Sequence, residues 1–183
     1  MTEIGYLNTP LGVLEIRVFK TRIVGMSFTT HERGLAVIPA KAGIQKSKTK
    51  TKRRGVAMQR LYRRVESSFN KYFSGRLRSF NVPIRLIGTP FQKSVWRALR
   101  RIPYGHTCSY AGVAKWIGRP KAVRAVANAI AKNPIGIIIP CHRVILSDGR
   151  LGGFGWGITR KKRLLLLEKT ANREDEKSNG SRP

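Results

Sequence analysis

The sequence predicts a mixed α/β (α+β) protein made of two small units, a strand-led N-terminal one and a mostly helical C-terminal one. Three patterns carry that expectation. Apolar residues alternate along the first 28 positions; they recur on one side at Leu61, Val65, Phe69, Tyr72 and Phe73; and from Thr89 onward short helical stretches take helix-turn-helix spacing. With 41% hydrophobic residues over 183, the chain can bury a core and is no disordered basic tail.

Taken in order, Ile4 and Tyr6 suit a first strand. Leu14, Ile16 and Val18 alternate in a second, Lys20-Thr21-Arg22 turns the chain, and Ile23, Val24, Met26 and Phe28 return it as a hairpin. Between residues 34 and 55 the pattern dissolves into Lys41, Lys46, Lys48, Lys50, Lys52, Arg53 and Arg54, which reads as an exposed basic insertion or linker. The amphipathic helix that follows stops near Gly75. Phe80, Val82, Ile84 and Leu86 then alternate as an extended connector, with Pro83 favouring a sheet edge.

The second unit, expected over residues 88–170 after an N-terminal unit of 1–87, opens with Thr89 as N-cap and Pro90 in the first turn. Phe91, Val95, Trp96 and Leu99 line one face of that helix, and Ile102-Pro103-Tyr104-Gly105 ends it. Ser109 can cap a short helix through Ile117, Gly118-Arg119-Pro120 breaks it, and residues 121–131 form another. Residues 135–139 read as a buried strand, Pro140-Cys141-His142-Arg143 as a turn, and residues 144–146 as a further strand. A closing helix is expected to end near Glu168, leaving residues 171–183 as a frayed polar tail.

Charge narrows the function classes. The chain holds 37 Lys and Arg against 9 Asp and Glu, a formal net charge of +28. The excess is spread: residues 1–87 hold 18 basic and 4 acidic side chains, and residues 88–170 hold 16 and 2. A body this basic repels itself, so a polyanion is its natural partner, nucleic acid first, with ribosomal or membrane-surface binding the plainer rival. No apolar run approaches the ~18 residues that span a bilayer, and the N-terminus lacks the basic-then-apolar layout of a secretory signal. A cytoplasmic protein is expected. Two cysteines, Cys108 and Cys141, are too few for a disulfide framework and form no CxxC pair, so each acts singly.

Cys141 follows an apolar stretch and Pro140, and His142 comes next, so a thiol and an imidazole meet at a forced bend. In a regular strand they would point to opposite faces; they cooperate only where the backbone turns. The plainer alternative is a buried structural cysteine beside a surface histidine, and for Cys108 that structural reading is favoured. A neighbouring imidazolium could ionise the thiol, but the gain is limited. Lowering its pKa by ~2.5 units raises the thiolate fraction about thirtyfold, while a Brønsted slope near ~0.45 takes back about tenfold. The site therefore also needs a donor near the departing atom. Residues 88–170 hold just two acids, Asp148 in a turn and Glu168. That leaves Glu168 to complete a Cys-His-Glu relay of the protease-triad kind, or else to sit solvated at a helix end. No second histidine or carboxylate pair lies close enough in sequence to suggest a metal site.

With those residues assembled, Ile139-Pro140-Cys141-His142-Arg143-Val144 resembles the active-site motif of the O6-alkylguanine-DNA alkyltransferases, the methylated-DNA–protein-cysteine methyltransferases. The likeness extends over residues 88–169, through Phe91, Val95-Trp96, Ile102-Pro103, Ser109-Tyr110, Arg119-Pro120-Lys121-Ala122-Val123-Arg124, Asn133-Pro134 and Gly153-Phe154-Gly155-Trp156-Gly157. The N-terminal part is similar more loosely, through Thr9-Pro10-Leu11-Gly12, the hairpin and the helix before Phe73-Ser74-Gly75. The resemblance implies a ribonuclease-H-like α/β domain followed by a winged-helix domain, no cofactor, and a monomer acting on double-stranded DNA that carries O6-alkylguanine. It implies Cys141 as alkyl acceptor, His142 as its water-linked base, Glu168 as the group orienting His142, Asn133 as a brace and Tyr110 as donor to the departing guanine. Arg124 would fill the space of a flipped nucleotide, from a helix kept slim by Ala122, Ala125, Ala127 and Ala129. Arg143 is expected among the DNA contacts. Trp96, Val144, Gly153, Phe154 and Gly155 are expected to line the substrate pocket. The lesion would swing beside Cys141, and because a thioether has no easy exit each molecule would act once; O4-methylthymine is a further expected substrate.

Three features depart from the family pattern. Gly112 stands where an acid often completes the capping box after Ser109. Phe154 replaces a common tyrosine, and the lysine-rich stretch 41–54 has no counterpart. Zinc, held by some relatives, finds no cysteine in the N-terminal half. Two other classes remain in view: a lesion-binding relative that lacks an acceptor thiol, and a helix-turn-helix transcription regulator, which would be dimeric and read base edges.

Overall fold

The computed structural model describes residues 2–29, 45–46 and 52–179. These form two compact units that divide between Arg85 and Leu86.

In the N-terminal unit, β1 (Glu3–Thr9), β2 (Gly12–Phe19) and β3 (Arg22–Phe28) form an antiparallel meander. The inward positions Leu7, Leu14, Ile16, Val18, Ile23 and Met26 are buried, which is the alternation the sequence shows. A tight turn at Lys20 and Thr21, with φ of 46° and 59°, joins β2 to β3. A two-residue strand β4 (Gln45–Lys46) pairs with Gly5 and Tyr6, giving the sheet order β3-β2-β1-β4. Most of the expected basic insertion lies outside the described residues. Its last part differs from the expectation: α1 (Lys52–Phe73) already includes Lys52, Arg53 and Arg54. Leu61, Val65, Phe69 and Tyr72 are buried along α1. The connector with Pro83 is extended beside β3, and Ile23 exchanges backbone hydrogen bonds with Pro83 and Arg85.

The C-terminal unit opens with α2 (Pro90–Leu99), whose capping box is reciprocal: Thr89 Oγ1 accepts from Gln92 N and the Gln92 side chain accepts from Thr89 N. A short strand β5 (Cys108–Ser109) leads into α3 (Tyr110–Trp116), capped by Ser109. Gly118 at φ 70° ends α3 in a Schellman turn, with Gly118 N bonded to Lys115 O and Arg119 N to Ala114 O. The second helix, α4 (Val123–Ala131), begins two residues later than the sequence suggests, with Ala122 as an N-cap lacking a side-chain bond. Trp96 Nε1 donates to Ala129 O at 2.8 Å and locks α2 to α4.

The apolar run 135–139 is buried but is not a strand. Ile137 takes φ 65° and the backbone closes on itself, Ile138 N to Gly136 O and Ile139 N to Ile135 O. A β-branched residue in that region costs roughly 1–3 kcal/mol, which burial of Ile135, Ile137 and Ile139 offsets. A 3₁₀ turn (Cys141–Arg143) follows, then β6 (Val144–Ile145), which pairs in parallel with β5. The last helix, α5 (Ile158–Asn179), passes straight through Glu168, so the expected helix end and frayed tail give way to helix through Asn179. No glycine or proline interrupts residues 158–179, so nothing in the sequence stops the helix at Glu168. No helix among the described residues is long and apolar enough to cross a membrane.

Candidate active site

The 3₁₀ turn after Pro140 brings Cys141 to a pocket and sends His142 inward. The pocket, of about 320 Å³, lies within the C-terminal unit and is lined by Tyr110 from α3; Ala127, Asn128, Ile130 and Ala131 from α4; Asn133 and Gly136; Cys141; and the rim Gly153, Phe154, Gly155 and Trp156. Phe154 and Trp156 meet edge to face, with centroids 5.8 Å apart. Gly136 is required by that wall, since a Cβ there would lie 2.2 Å from the Trp156 ring.

Asn133 shapes the turn that presents the thiol. Its Nδ2 donates to Ile139 O at 2.9 Å and its Oδ1 accepts from Ile135 N at 3.1 Å. Burial pushes the Cys141 pKa above the ordinary thiol value, more than Asn133 and the charge of Lys161 pull it down. The resting group is therefore a protonated thiol, and the mostly ionised cysteine that an imidazolium would create is absent.

His142 explains why. It is fully buried, and burial holds its pKa below the ordinary 6.5 although Glu168 accepts from it, so it is neutral at physiological pH. The Nε2–H donates to Glu168 Oε1 at 2.8 Å, which leaves Nδ1 as the bare, buried lone pair with no hydrogen-bond partner among the described residues. Glu168 is also buried, from the middle of α5, and its oxygens accept from Arg143 Nε at 2.8 Å, Arg143 Nη2 at 3.0 Å and Gly105 N at 3.3 Å. Burial alone would raise its pKa; the donors of His142 and Arg143 outweigh that and hold it at about 2. The carboxylate is thus ionised and fixes the imidazole tautomer.

Of the expected site residues, the structure brings together Cys141, His142 with Glu168, Asn133, Tyr110, Gly153, Phe154 and Gly155. Tyr110 is half-buried, and burial together with the neighbouring Cys141 raises its hydroxyl pKa. Arg124 and Ala125 are exposed on α4, and Ala122 is half-buried at its start. Three groups of assignments change. Arg143 is buried against Glu168 and Ile102 O, so its guanidinium cannot reach DNA. Ala129 is 3% exposed and offers no solvent-facing surface. Trp96 and Val144 belong to the core rather than the pocket wall. Sequence reasoning missed the pocket residues Ala127, Asn128, Ile130, Ala131, Gly136 and Trp156, and the buried Lys161. For the α4 residues the i, i+3, i+4 stripe ending at Ala131 was the available signal; a lysine among Lys161, Lys162 and Arg163 carries none. Among the described residues no group of three or more His, Cys, Asp or Glu is placed to hold a metal.

Residues 90–170 match the family described as 6-O-methylguanine DNA methyltransferase, DNA binding domain. A methylated-DNA–protein-cysteine methyltransferase of Methanosarcina acetivorans is 42% identical over 151 residues, 82% of this chain and 96% of that protein. The chain belongs to the methylated-DNA–protein-cysteine methyltransferase family. A family member from Mycobacterium bovis is 55% identical over 101 residues, 55% of this chain and 61% of that protein. The solved O6-methylguanine methyltransferase of Mycobacterium tuberculosis superposes with a TM-score of 0.73 at 36% identity, covering 93% of this chain and 94% of that one. A second structure from that organism, titled as OGT in complex with DNA, gives 0.69 at 34% identity, covering 91% and 92%. The Methanosarcina acetivorans protein and the two solved structures match over both units, so the mixed α/β N-terminal unit and the helical C-terminal unit are those of the family.

Proposed function

We propose that the protein repairs DNA by moving the alkyl group of O6-alkylguanine onto Cys141, one group per molecule. The observation that carries this reading is a pocket with a single thiol at its wall, backed by a neutral histidine whose second nitrogen is fixed by a buried carboxylate. The basic surface holds double-stranded DNA through its phosphates, and exposed Arg124 on α4 occupies the space of the flipped nucleotide. The lesion enters between Tyr110 and the Gly153, Phe154 and Gly155 rim. The thiol proton passes through a bridging water to His142 Nδ1, and the resulting imidazolium is stabilised by Glu168. Sulfur then bonds to the alkyl carbon as the carbon–O6 bond breaks, its electron pair leaving on guanine, which takes a proton donated by the Tyr110 hydroxyl. The thioether is stable, so the chain is spent.

Every reacting group comes from one chain, in keeping with action as a monomer. Two unpaired thiols suit the reducing cytoplasm. Incubation with a duplex containing O6-methylguanine, followed by peptide mass mapping, tests the reading: a methyl group on Cys141 is expected. Unmodified Cys141 in a tight lesion complex would make the protein a binding module instead. A parallel incubation with O4-methylthymine tests that second lesion.

A further inference from the structure

One buried cation stands outside the relay. Lys161, in the first turn of α5, is fully buried, and its ammonium donates to Val144 O at 2.6 Å, to Leu151 O, and to Gly153 O at 3.5 Å. These three carbonyls match its three donors. They also belong to two different parts of the site. Val144 is the first residue after the turn that carries Cys141, whereas Leu151 and Gly153 lead into the pocket rim.

A buried ammonium is an expensive way to fill space. Burial pulls the Lys161 pKa from 10.5 to about 8, so at neutral pH it still carries a charge that an apolar side chain of similar length would spare the fold. What it faces gives that charge a use. Lys161 and Cys141 each favour the charged form of the other. The thiol is otherwise faced by the neutral Asn133 amide, by the protonated Tyr110 hydroxyl of α3, and on its own segment by neutral His142. Among the described residues, Lys161 is the cation acting on the thiol.

We propose that Lys161 is a positioning residue for alkyl transfer: its ammonium pins the pocket rim to the segment leaving the nucleophile and stabilises the Cys141 thiolate as it forms. The role in transfer rests on the function proposed above, while the effect on the thiol does not, and the two are measured separately.

Iodoacetamide reacts with a thiolate without DNA, and peptide mapping reads Cys141 and Cys108 independently across a pH series. An opposite charge at close range shifts a pKa by roughly 1–3 units. In Lys161→Met, Cys141 is therefore expected to alkylate about three- to fourfold more slowly at neutral pH, with its midpoint about one pH unit higher, the tenfold loss of thiolate being partly offset by its greater nucleophilicity. Lys161→Arg, which keeps the charge, restores most of the rate, and Cys108 keeps its profile in all three proteins. Transfer from the O6-methylguanine duplex falls in Lys161→Met by at least the same factor, because the rim is also released. Identical Cys141 profiles in the three proteins overturn the proposal. A variant that loses its structure shows both cysteines reacting alike; Lys161→Gln, which keeps a hydrogen-bond donor without the charge, then takes its place, and a Cys141 profile identical to that of the unaltered protein overturns the proposal. If the duplex transfers no methyl group while the iodoacetamide profiles separate as described, the proposed function fails and the thiolate effect stands.

Discussion

Replacing Glu168 by glutamine removes the charge from a carboxylate whose two oxygens accept four hydrogen bonds, and the structure sets the size of the loss. The carboxylate accepts from His142 Nε2, from two Arg143 nitrogens and from Gly105 N, with its side chain and that of His142 both 0% exposed and that of Arg143 7% exposed. Its pKa lies at about 2 against an ordinary 4.5. At ~1.4 kcal/mol per pH unit, that difference is about 3 kcal/mol in favour of the folded state. Glutamine also leaves the Arg143 guanidinium buried and unpaired, and breaking a buried pair in this way costs about 3–5 kcal/mol. Both routes give the same range, a large share of the ~5–15 kcal/mol that holds a domain together. Thermal and denaturant unfolding of the full chain at neutral pH should show it as a fall in Tm of about 10 °C. The pH dependence has a fixed sign. A carboxyl whose folded pKa is depressed contributes stability that is full above about 4.5 and is lost as pH falls towards about 2. Neutral His142 adds to the acid loss, because the unfolded chain gains its proton below 6.5 while the folded one resists it. Glu168→Gln should lose the carboxylate part of this acid slope. Adding Arg143→Met should recover part of the stability. A glutamine variant within ~1 kcal/mol of the unaltered protein, with the same acid slope, would refute the reasoning, since that is the behaviour of a solvated ion pair.

Other outcomes follow from the same geometry. Cys141→Ala should abolish alkyl transfer while leaving lesion-duplex affinity within about twofold in a gel-shift titration, because the small buried thiol makes no contact with the phosphates. Arg124→Ala should slow transfer from duplex DNA roughly ten- to hundredfold, the scale of a few kcal/mol of unstacking, with the iodoacetamide profile of Cys141 unchanged; equal transfer rates would remove the wedge role. Gly112→Ala should gain about 1 kcal/mol less stability in the unaltered protein than in a Cys108→Ala background, because its new Cβ would lie 2.7 Å from Cys108 Sγ. Denaturant midpoints of the four proteins in that cycle measure the coupling.

The three strands of the N-terminal meander, the capped helices and the Gly118 break were legible because each has a local cause: alternation, a Thr89 or Ser109 cap, a left-handed glycine; the two-residue strands β4 and β5 carry no such signal and were not. The run 135–139 was misread as a strand because its hydrophobicity reports burial and not backbone shape; the side chain that clips it into a turn, Asn133, acts across six residues to Ile139 O. Arg143 shows the same limit for charge. In a chain with 37 basic residues an arginine in the active-site motif looks like a phosphate contact, and only the meeting of α5 with the 3₁₀ turn shows that it neutralises Glu168. The relay itself could be read from scarcity, since Glu168 was one of two acids in residues 88–170. Scarcity cuts the other way for Lys161, one lysine among many, whose burial depends on the path of residues 144–153.

The central claim is that one sulfur per chain is consumed. Titrating the protein with an excess of duplex carrying O6-methylguanine, and counting repaired guanines per molecule together with methyl groups on Cys141, tests it directly. The account predicts that both counts plateau at one and agree. Repair continuing past that plateau, with Cys141 recovered unmethylated, would contradict it.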